Sequence, residues 1–138
     1  MSVVRSDRRR RGTQARAQGR AAEWLAAAWL IAAGWRVLGF RLKAAGVEMD
    51  LVARRGGVLA VVEVKTRRTL DEALSAVGAA QRARLLRAGE TLLAGRPGMA
   101  GLSVRLDLMA LAPGRLPRHL PDAWGAGASV PSRRGPSA

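Results

Sequence analysis

The sequence predicts an α/β domain in which a mixed sheet is flanked by helices, and three stretches carry that prediction. Residues 19–34 are rich in Ala and Leu, are apolar on most of their circumference and end at a glycine, as a buried helix does. Two apolar runs flank Gly56-Gly57, which is a typical two-residue hairpin turn. A helical stretch, 69–95, then leads to the apolar run 102–111, which predicts a crossover to a parallel strand.

The predicted elements follow the order α-β-β-β-α-β. The first three strands are predicted at residues 35–42, 48–54 and 58–65. In the second helix, Thr69 and Glu72 have the spacing of a capping box, and Gly78 is expected to break or delay the helix. With 138 residues, the chain fits one domain with a single core.

The composition divides the chain into three parts. Residues 1–18 are charged, with no apolar period, and are predicted to form a basic disordered arm. Residues 19–112 are the predicted folded domain. Residues 113–138 are rich in Pro, Gly and Ser, which predicts a flexible tail.

The chain contains no cysteine, which excludes disulfides and zinc sites built on thiolates. Its basic N-terminal residues are not followed by an apolar stretch with a small-residue cleavage site, so we expect no signal peptide. The longest apolar run, 24–34, is about half as long as a bilayer-spanning helix. These features predict a cytoplasmic protein without a membrane span.

The formal net charge of +14 favours a polyanionic partner. The basic excess occurs in the arm, the domain and the tail, which favours nucleic acid over a membrane surface. A biased coding composition would give the same abundance of Arg, Ala and Gly. An anionic-membrane or ribosome-associated protein that binds through the arm is a third reading. The few aromatic residues, four Trp and one Phe, argue against a platform that stacks single-stranded bases.

The predicted hairpin places ionisable residues within apolar strands. With the two glycines as the turn, the predicted cross-strand pairs are Arg55–Val58, Val52–Val61, Asp50–Glu63, Met49–Val64 and Glu48–Lys65. Side chains alternate along a strand. The ionisable residues then share one face: Glu48, Asp50, Glu63 and Lys65. The apolar residues between them face a core on the other side: Met49, Leu51, Val62 and Val64.

This arrangement points to a cation site. Opposed Cβ atoms lie about 4.5–5.5 Å apart, so Asp50 and Glu63 would repel, which raises a pKa or recruits a cation. Mg²⁺ prefers oxygen ligands and commonly uses one or two carboxylates. Lys65 could neutralise a phosphate or help to deprotonate an attacking water, which outlines phosphodiester hydrolysis. Alternatively, Glu48 and Lys65 form a plain ion pair and Asp50 is solvated at a strand end.

The motifs resemble those of a known bacterial family. The stretch GRAAEWLAAAWLIAAGWRVLGFRLKAAGVEMDLVARRGGVLAVVEVKTRR, followed by AVGAAQRARLLRAGETLLAG and VRLDLMAL, resembles the YraN family. That family is similar to the restriction-endonuclease-like, PD-(D/E)XK superfamily, and within it to Holliday-junction resolvases. The resemblance covers about 19–111. Its motifs are a Glu in the first helix, G-E-I-D-L, V-E-V-K-x-R and a final R-F-D strand.

The resemblance implies a restriction-endonuclease-like core and a Mg²⁺- or Mn²⁺-dependent endonuclease that hydrolyses DNA phosphodiesters, at branched or junction DNA. Asp50 and Glu63 would then be catalytic metal ligands, and Lys65 the catalytic lysine. Glu23 matches the helix-one glutamate and would be a third metal ligand. From its position alone, Glu23 is better explained as a helix-start glutamate favoured by the helix dipole. A basic nucleic-acid-binding protein of the same fold without turnover is the alternative.

The resemblance also implies accessory roles, and at two positions this sequence departs from the family pattern. Arg67 and Arg68 would hold nucleic-acid phosphates, or else form a solvated charge pair. Glu48 matches the first acid of G-E-I-D-L, although Val47 separates it from the preceding glycine. Gln81 stands where the family usually has Lys, and it could still hydrogen-bond a phosphate or water.

The remaining polar and aromatic residues are predicted to be structural. Asp107 is expected to anchor Arg105 or a neighbouring strand, and His119 is given no catalytic or ligand role. Trp124 is expected either to dock the tail or to stay exposed. The other tryptophans are predicted to fill core: Trp24, Trp29 and Trp35. An enzyme that cuts two DNA strands is expected to act as a homodimer.

Overall fold

The computed structural model describes residues 19–125. Within them, the chain forms one five-stranded mixed sheet with the strand order β1-β2-β3-β4-β5. The elements are α1 (19–32), β1 (Arg36–Ala44), β2 (Val47–Arg55), β3 (Val58–Thr66), α2 (Leu70–Ser75), α3 (Ala79–Ala94), a 3₁₀ turn (Pro97–Met99), β4 (Ser103–Leu111) and β5 (Arg118–Leu120). None of the helices in this part of the chain has the length and apolarity that crossing a membrane requires.

The predicted mixed α/β architecture is confirmed. Strands β2 and β3 pair antiparallel across the turn at Gly56-Gly57, and β3 pairs parallel with β4 after the helical crossover. Gly56 has a φ of 56°, which glycine adopts without strain. The predicted pairs nearest the turn are both present: Arg55–Val58 and Val52–Val61.

The outer part of the hairpin differs from the prediction. The paired residues of β2 and β3 end at Leu51–Val62, so the predicted pairs of Asp50, Met49 and Glu48 were wrong. The backbone N–H of Val64 instead donates a hydrogen bond of 2.9 Å to Asp50 Oδ2. The carboxylate thereby satisfies a strand donor that the ladder would otherwise use, and the two strands separate at this point.

A backbone irregularity in β1 accompanies this separation. Arg41 has a φ of 51°, in the left-handed region, and lies between the paired positions Phe40–Leu51 and Leu42–Met49. The first pair packs in the cluster that contains α1, and the second pair in the cluster that contains α3. Met49 therefore faces the α3 side of the sheet, whereas it was predicted to face the same side as Leu51. The side chains of β2 do not alternate strictly between Met49 and Leu51.

The core has two main layers, one on each side of the sheet. The α1 layer consists of Ala26, Ala27, Leu30, Trp35, Leu51, Ala53, Ala60, Val62, Met109 and Leu111. The α3 layer consists of Met49, Val52, Leu59, Val61, Val77, Leu85, Ala88, Met99 and Leu106. A smaller cluster joins α2 to the end of β4 through Ala73, Leu108 and Ala110. Strands β2 to β4 are thus covered on both faces, which explains their continuous apolar runs.

The tryptophans divide between core and surface. Trp35 is buried and Trp29 packs partly against the α1 layer, as predicted. Trp24 is 66% exposed and lies against Phe40 with ring centroids 4.9 Å apart, so its predicted core position was wrong. Trp124 docks, because its Nε1 donates a hydrogen bond to the carbonyl of Leu74 in α2.

The second predicted helix is two helices, separated at the glycine expected to break it. Thr69 caps α2, since its side chain accepts a hydrogen bond from the N–H of Glu72 at 3.1 Å. Gly78 has an extended backbone conformation at the start of α3.

The ordered fold continues past residue 112, where the tail was predicted to begin. Strand β5 pairs antiparallel with β4, and residues 121–125 follow it. The segment is held by polar contacts of His119 and the N–H of Asp122 with the buried carboxylate of Asp107, which no apolar pattern reveals. The arm, 1–18, and the rest of the tail, 126–138, lie outside the described residues.

Helix α3 crosses the sheet closely at Gly89. A Cβ atom at this position would lie 2.7 Å from side-chain methyls of both Val104 and Val61. Ala improves helix propensity by about 1 kcal/mol, whereas overpacking costs roughly 1–3 kcal/mol. We therefore expect Gly89→Ala to lower the free energy of unfolding in urea. Gly95→Ala is the matched control, since Gly95 has a φ of −83° and its nearest contacts are at 3.7 Å. Equal stabilisation of both variants would contradict the close packing.

Candidate metal and nucleic-acid site

The separation of β2 and β3 opens a cavity of about 610 Å³ between these strands and α1. Four of the predicted site residues line it, namely Glu23, Asp50, Lys65 and Arg67. The cavity is large enough for a nucleotide-sized ligand. We call it the central cavity.

Glu63 lies next to the central cavity on β3 and is 4% exposed. Its Oε1 is buried and has no hydrogen-bond partner, the only such side-chain atom found within residues 19–125. Burial raises the pKa of Glu63 to about 8, and the negative charge of Asp50 acts in the same direction. A buried carboxylate oxygen without a partner is costly and indicates a place for a cation or a proton.

Asp50 shares this environment. Burial raises the pKa of Asp50 above its ordinary value, and the hydrogen bond from the N–H of Val64 opposes that rise. The charge of Glu23 raises the pKa of Asp50 further, whereas Lys65 lowers it. The two carboxylates therefore interact electrostatically although they are not a cross-strand pair.

Lys65 is a cation of the central cavity, beside Arg67. Its positive charge lowers the pKa of both Asp50 and Glu63. Lys65 is half-buried and forms no ion pair with any residue from 19 to 125. Its ammonium group is therefore available to an anionic ligand.

Glu23, the predicted third metal ligand, is held by an arginine. Its Oε1 accepts a hydrogen bond from Arg41 Nε at 2.8 Å, and Arg41 Nη2 lies 2.7 Å from the same oxygen. Within the described part of the chain, no three His, Cys, Asp or Glu side chains come together in a group that could hold a metal ion. Glu23, Asp50 and Glu63 thus do not form a three-carboxylate set. Sequence reasoning missed Arg41, which carries no local signal for this contact.

The accessory residues occupy different places. Glu48 is exposed and lines an adjoining cavity of about 280 Å³ with Glu23 and Arg41. Gln81 lies on α3, where its Oε1 accepts hydrogen bonds from the guanidinium of Arg84 at 2.9 and 3.3 Å. It is not among the residues that line the central cavity.

Arg67 and Arg68 follow β3 directly and are exposed. The side chain of Arg67 donates to the carbonyl of Thr66 at 2.9 Å, and its backbone N–H donates to the carbonyl of Leu111 at 3.0 Å. Arg67 lines the central cavity, whereas Arg68 does not.

Comparison with known sequences assigns the family. A sequence profile described as "Uncharacterised protein family UPF0102" matches residues 22–111, which include every candidate site residue. The chain belongs to the UPF0102 family. The family membership that the motifs predict is thereby confirmed.

The UPF0102 relatives are bacterial and similar in length. The UPF0102 protein of Caulobacter vibrioides (strain NA1000 / CB15N) is 61% identical over 118 residues, which cover 86% of this chain and 94% of the relative. That of Caulobacter sp. (strain K31) is 57% identical over 131 residues, covering 90% and 94%. That of Paramagnetospirillum magneticum is 50% identical over 115 residues, covering 80% and 88%.

A further buried carboxylate of this UPF0102 chain, Asp107, is structural, as predicted. Asp107 is fully buried and accepts hydrogen bonds from Arg105 at 2.8 and 2.9 Å and from the N–H of Asp122 at 3.0 Å. His119 Nε2 lies 2.8 Å from Asp107 Oδ2. Burial alone would raise the pKa of Asp107, but the contacts with His119, Arg105 and Asp122 together lower it. These partners hold β5 and the following turn on the sheet.

The raised pKa of Glu63 predicts how stability depends on pH in the metal-free UPF0102 protein. Between its ordinary pKa of 4.5 and about 8, the folded state binds the Glu63 proton and the unfolded state does not. This contribution to stability is therefore fully present below the lower value and is lost as the pH rises towards the higher one.

We expect Glu63→Gln to flatten that pH dependence and to raise the free energy of unfolding at pH 8 by roughly 1 kcal/mol or more. Urea unfolding at several pH values in the presence of a chelator measures it. Glu90→Gln, at an exposed position on α3, is the matched control. A variant that lost stability at pH 8 would contradict the raised pKa of Glu63.

Proposed function

We propose that this UPF0102 protein is a divalent-metal-dependent endonuclease of the PD-(D/E)XK type, with a restriction-endonuclease-like core, that hydrolyses DNA phosphodiesters at branched or junction DNA. One observation carries the proposal: the buried, unpartnered Oε1 of Glu63 beside the carboxylate of Asp50. The ammonium of Lys65 borders the same cavity.

The residues present fit Mg²⁺ or Mn²⁺. Asp50 and Glu63 offer two carboxylates in a buried setting, and both have raised pKa values that an added positive charge would offset. Mg²⁺ commonly uses one or two carboxylates and leaves its other positions to water and substrate phosphate. Asp50 and Glu63 would hold the ion, so the contact of Glu23 with Arg41 does not prevent binding.

The chain's own groups would then act on the phosphodiester. When bound, a divalent cation supplies an acidified water and charge stabilisation at phosphorus. The hydrogen bond from Val64 orients the Asp50 carboxylate before any ligand arrives. Lys65 would stabilise negative charge on the phosphate, or donate a hydrogen bond that orients the attacking water. Arg67, on the rim, would bind the phosphate of a neighbouring nucleotide.

The charge of the protein supports a nucleic-acid substrate. A net charge of +14 favours DNA binding that weakens steeply with salt, because bound arginines release counterions from the phosphates. A DNA substrate would place the protein in the bacterial cytoplasm. Cutting both strands of a junction would require two active sites, which a homodimer supplies.

Metal uptake is the direct test of the site. Calorimetric titration of the whole protein with Mn²⁺ should show one binding event that is lost in Glu63→Gln and retained in Glu90→Gln. The same preparations should then be assayed on labelled four-way junction and linear duplex DNA. Retained uptake in Glu63→Gln would overturn the assignment of the ligand.

A second function is favoured by a specific observation. Arg41 forms an ion pair with the carboxylate of Glu23, and Arg84 donates a hydrogen bond to the amide oxygen of Gln81. Both contacts suit a basic protein that binds nucleic acid on the same fold without turnover. DNA binding by a protein that takes up neither Mg²⁺ nor Mn²⁺ would support this second function against the first.

A further inference from the structure

A second cavity, of about 220 Å³, lies at the ends of β3 and β4. Four arginines line it: Arg67 and Arg68, which follow β3, and Arg115 and Arg118, which come from the segment after β4. No acidic side chain is part of its lining. We call it the arginine cavity.

The backbone, and not any counter-charge, brings these four side chains together. The N–H of Arg67 donates to the carbonyl of Leu111, and that of Arg115 donates to the carbonyl of Ala112. Arg118 is paired with Ala110 in the β4–β5 ladder. None of the four arginines forms an ion pair within the part of the chain that the structure describes.

Four guanidinium groups around one cavity repel one another unless an anion lies between them. The planar guanidinium matches the oxygens of a phosphate through paired hydrogen bonds, so phosphate is the anion that this lining fits best. The apolar part of the lining includes Leu116, which is 73% exposed and could contact a sugar or base beside the phosphate.

The arginine cavity adjoins the central cavity, since Arg67 lines both. We propose that the arginine cavity binds a phosphate group of the nucleic-acid strand whose next phosphates lie in the central cavity. The binding site is thereby extended to Arg115 and Arg118, in the segment that the sequence predicts as flexible tail. This inference rests on the proposed function for the ligand class, but it does not require that the bond be cut.

The test is DNA binding by Arg115→Ala/Arg118→Ala in the full chain, measured by fluorescence anisotropy without divalent metal. Both residues are exposed, so the variant is expected to fold, which its unfolding transition checks. We expect Kd to rise roughly tenfold or more and the dependence of log Kd on log salt to fall by about 1. The control, Arg87→Ala/Arg96→Ala, removes the same charge from exposed positions on and after α3. Equal losses in the two variants would overturn the proposal.

Two further measurements test the same proposal: a single charge reversal, and binding to DNA with and without its terminal phosphate. Arg115→Glu should weaken binding more than Arg87→Glu, and this comparison stands even if the double variant does not fold. If removing the terminal phosphate of the DNA abolishes the difference between variant and wild type, the cavity binds a strand end. If the difference persists, it binds an internal phosphodiester. Equal effects of the two charge reversals would overturn the proposal.

The two proposals fail separately. If wild-type protein binds DNA through these arginines but does not cleave it, only the nuclease proposal is disproved. Metal-dependent cleavage with unchanged binding in Arg115→Ala/Arg118→Ala would sink the arginine cavity alone.

Discussion

Replacing Glu63 with Gln, or Asp50 with Asn, is expected to lower metal-dependent DNA cleavage by roughly a thousandfold or more, because each change removes a charged group that would hold the ion. Lys65→Ala is expected to cost roughly 10²–10³-fold, because it removes charge stabilisation at the phosphate. All three residues lie at the point where β2 and β3 separate. Cleavage rates of each purified variant on junction DNA, with Mg²⁺ or Mn²⁺, measure the effect.

Stability supplies the control that separates this loss from misfolding. The same Glu63→Gln variant is expected to be more stable than wild type at pH 8, since Glu63 Oε1 has no partner to lose. Loss of cleavage together with a gain of stability is the pattern of a residue kept for function. Wild-type rates in both Asp50→Asn and Lys65→Ala would show that the cleavage comes from another protein.

Replacing Asp107 with Ala is expected to lower the free energy of unfolding by roughly 1.5–3 kcal/mol or more, because it removes a fully buried carboxylate that accepts hydrogen bonds from Arg105 and from the N–H of Asp122. The lowered pKa of Asp107 also sets the direction of a pH effect. Its stabilisation is present above the ordinary pKa of an aspartate and is lost as the pH falls through the lower, folded value. Acid should therefore destabilise wild type more than the variant.

Urea unfolding at neutral and acidic pH measures both effects. Asp71→Asn is the matched control, because Asp71 is exposed in the first turn of α2. Arg105→Met, which keeps an apolar stem against the ring of Trp35, leaves the fully buried carboxylate of Asp107 with only His119 and the N–H of Asp122 as partners, and it should therefore be destabilising as well. A cost below about 1 kcal/mol for Asp107→Ala would show that the buried network is not needed for the fold.

The parts of the structure that local patterns govern were predictable from the sequence. The glycine pair gave the hairpin and its register near the turn, and Thr69 gave the start of α2. The short motif around Asp107 gave its contact with Arg105. Each of these depends on residues close together in the chain.

The parts that depend on distant contacts were not predictable. The separation of β2 and β3 follows from one carboxylate that accepts a strand N–H fourteen residues away, and from the left-handed backbone of Arg41. The capture of Glu23 by Arg41 spans eighteen residues. Strand β5 has only three residues, two of them polar, so it has no apolar alternation to recognise.

The order of the sheet also has a consequence for biosynthesis. Every strand neighbours the strand made just before it, so each can pair as soon as it emerges from the ribosome. Strand β4 is the exception, because the two crossover helices must be synthesised before β4 can pair with β3. Until β4 is made, the apolar edge of β3 is uncovered. A nascent chain stalled between β3 and β4 would therefore be the form most prone to aggregate.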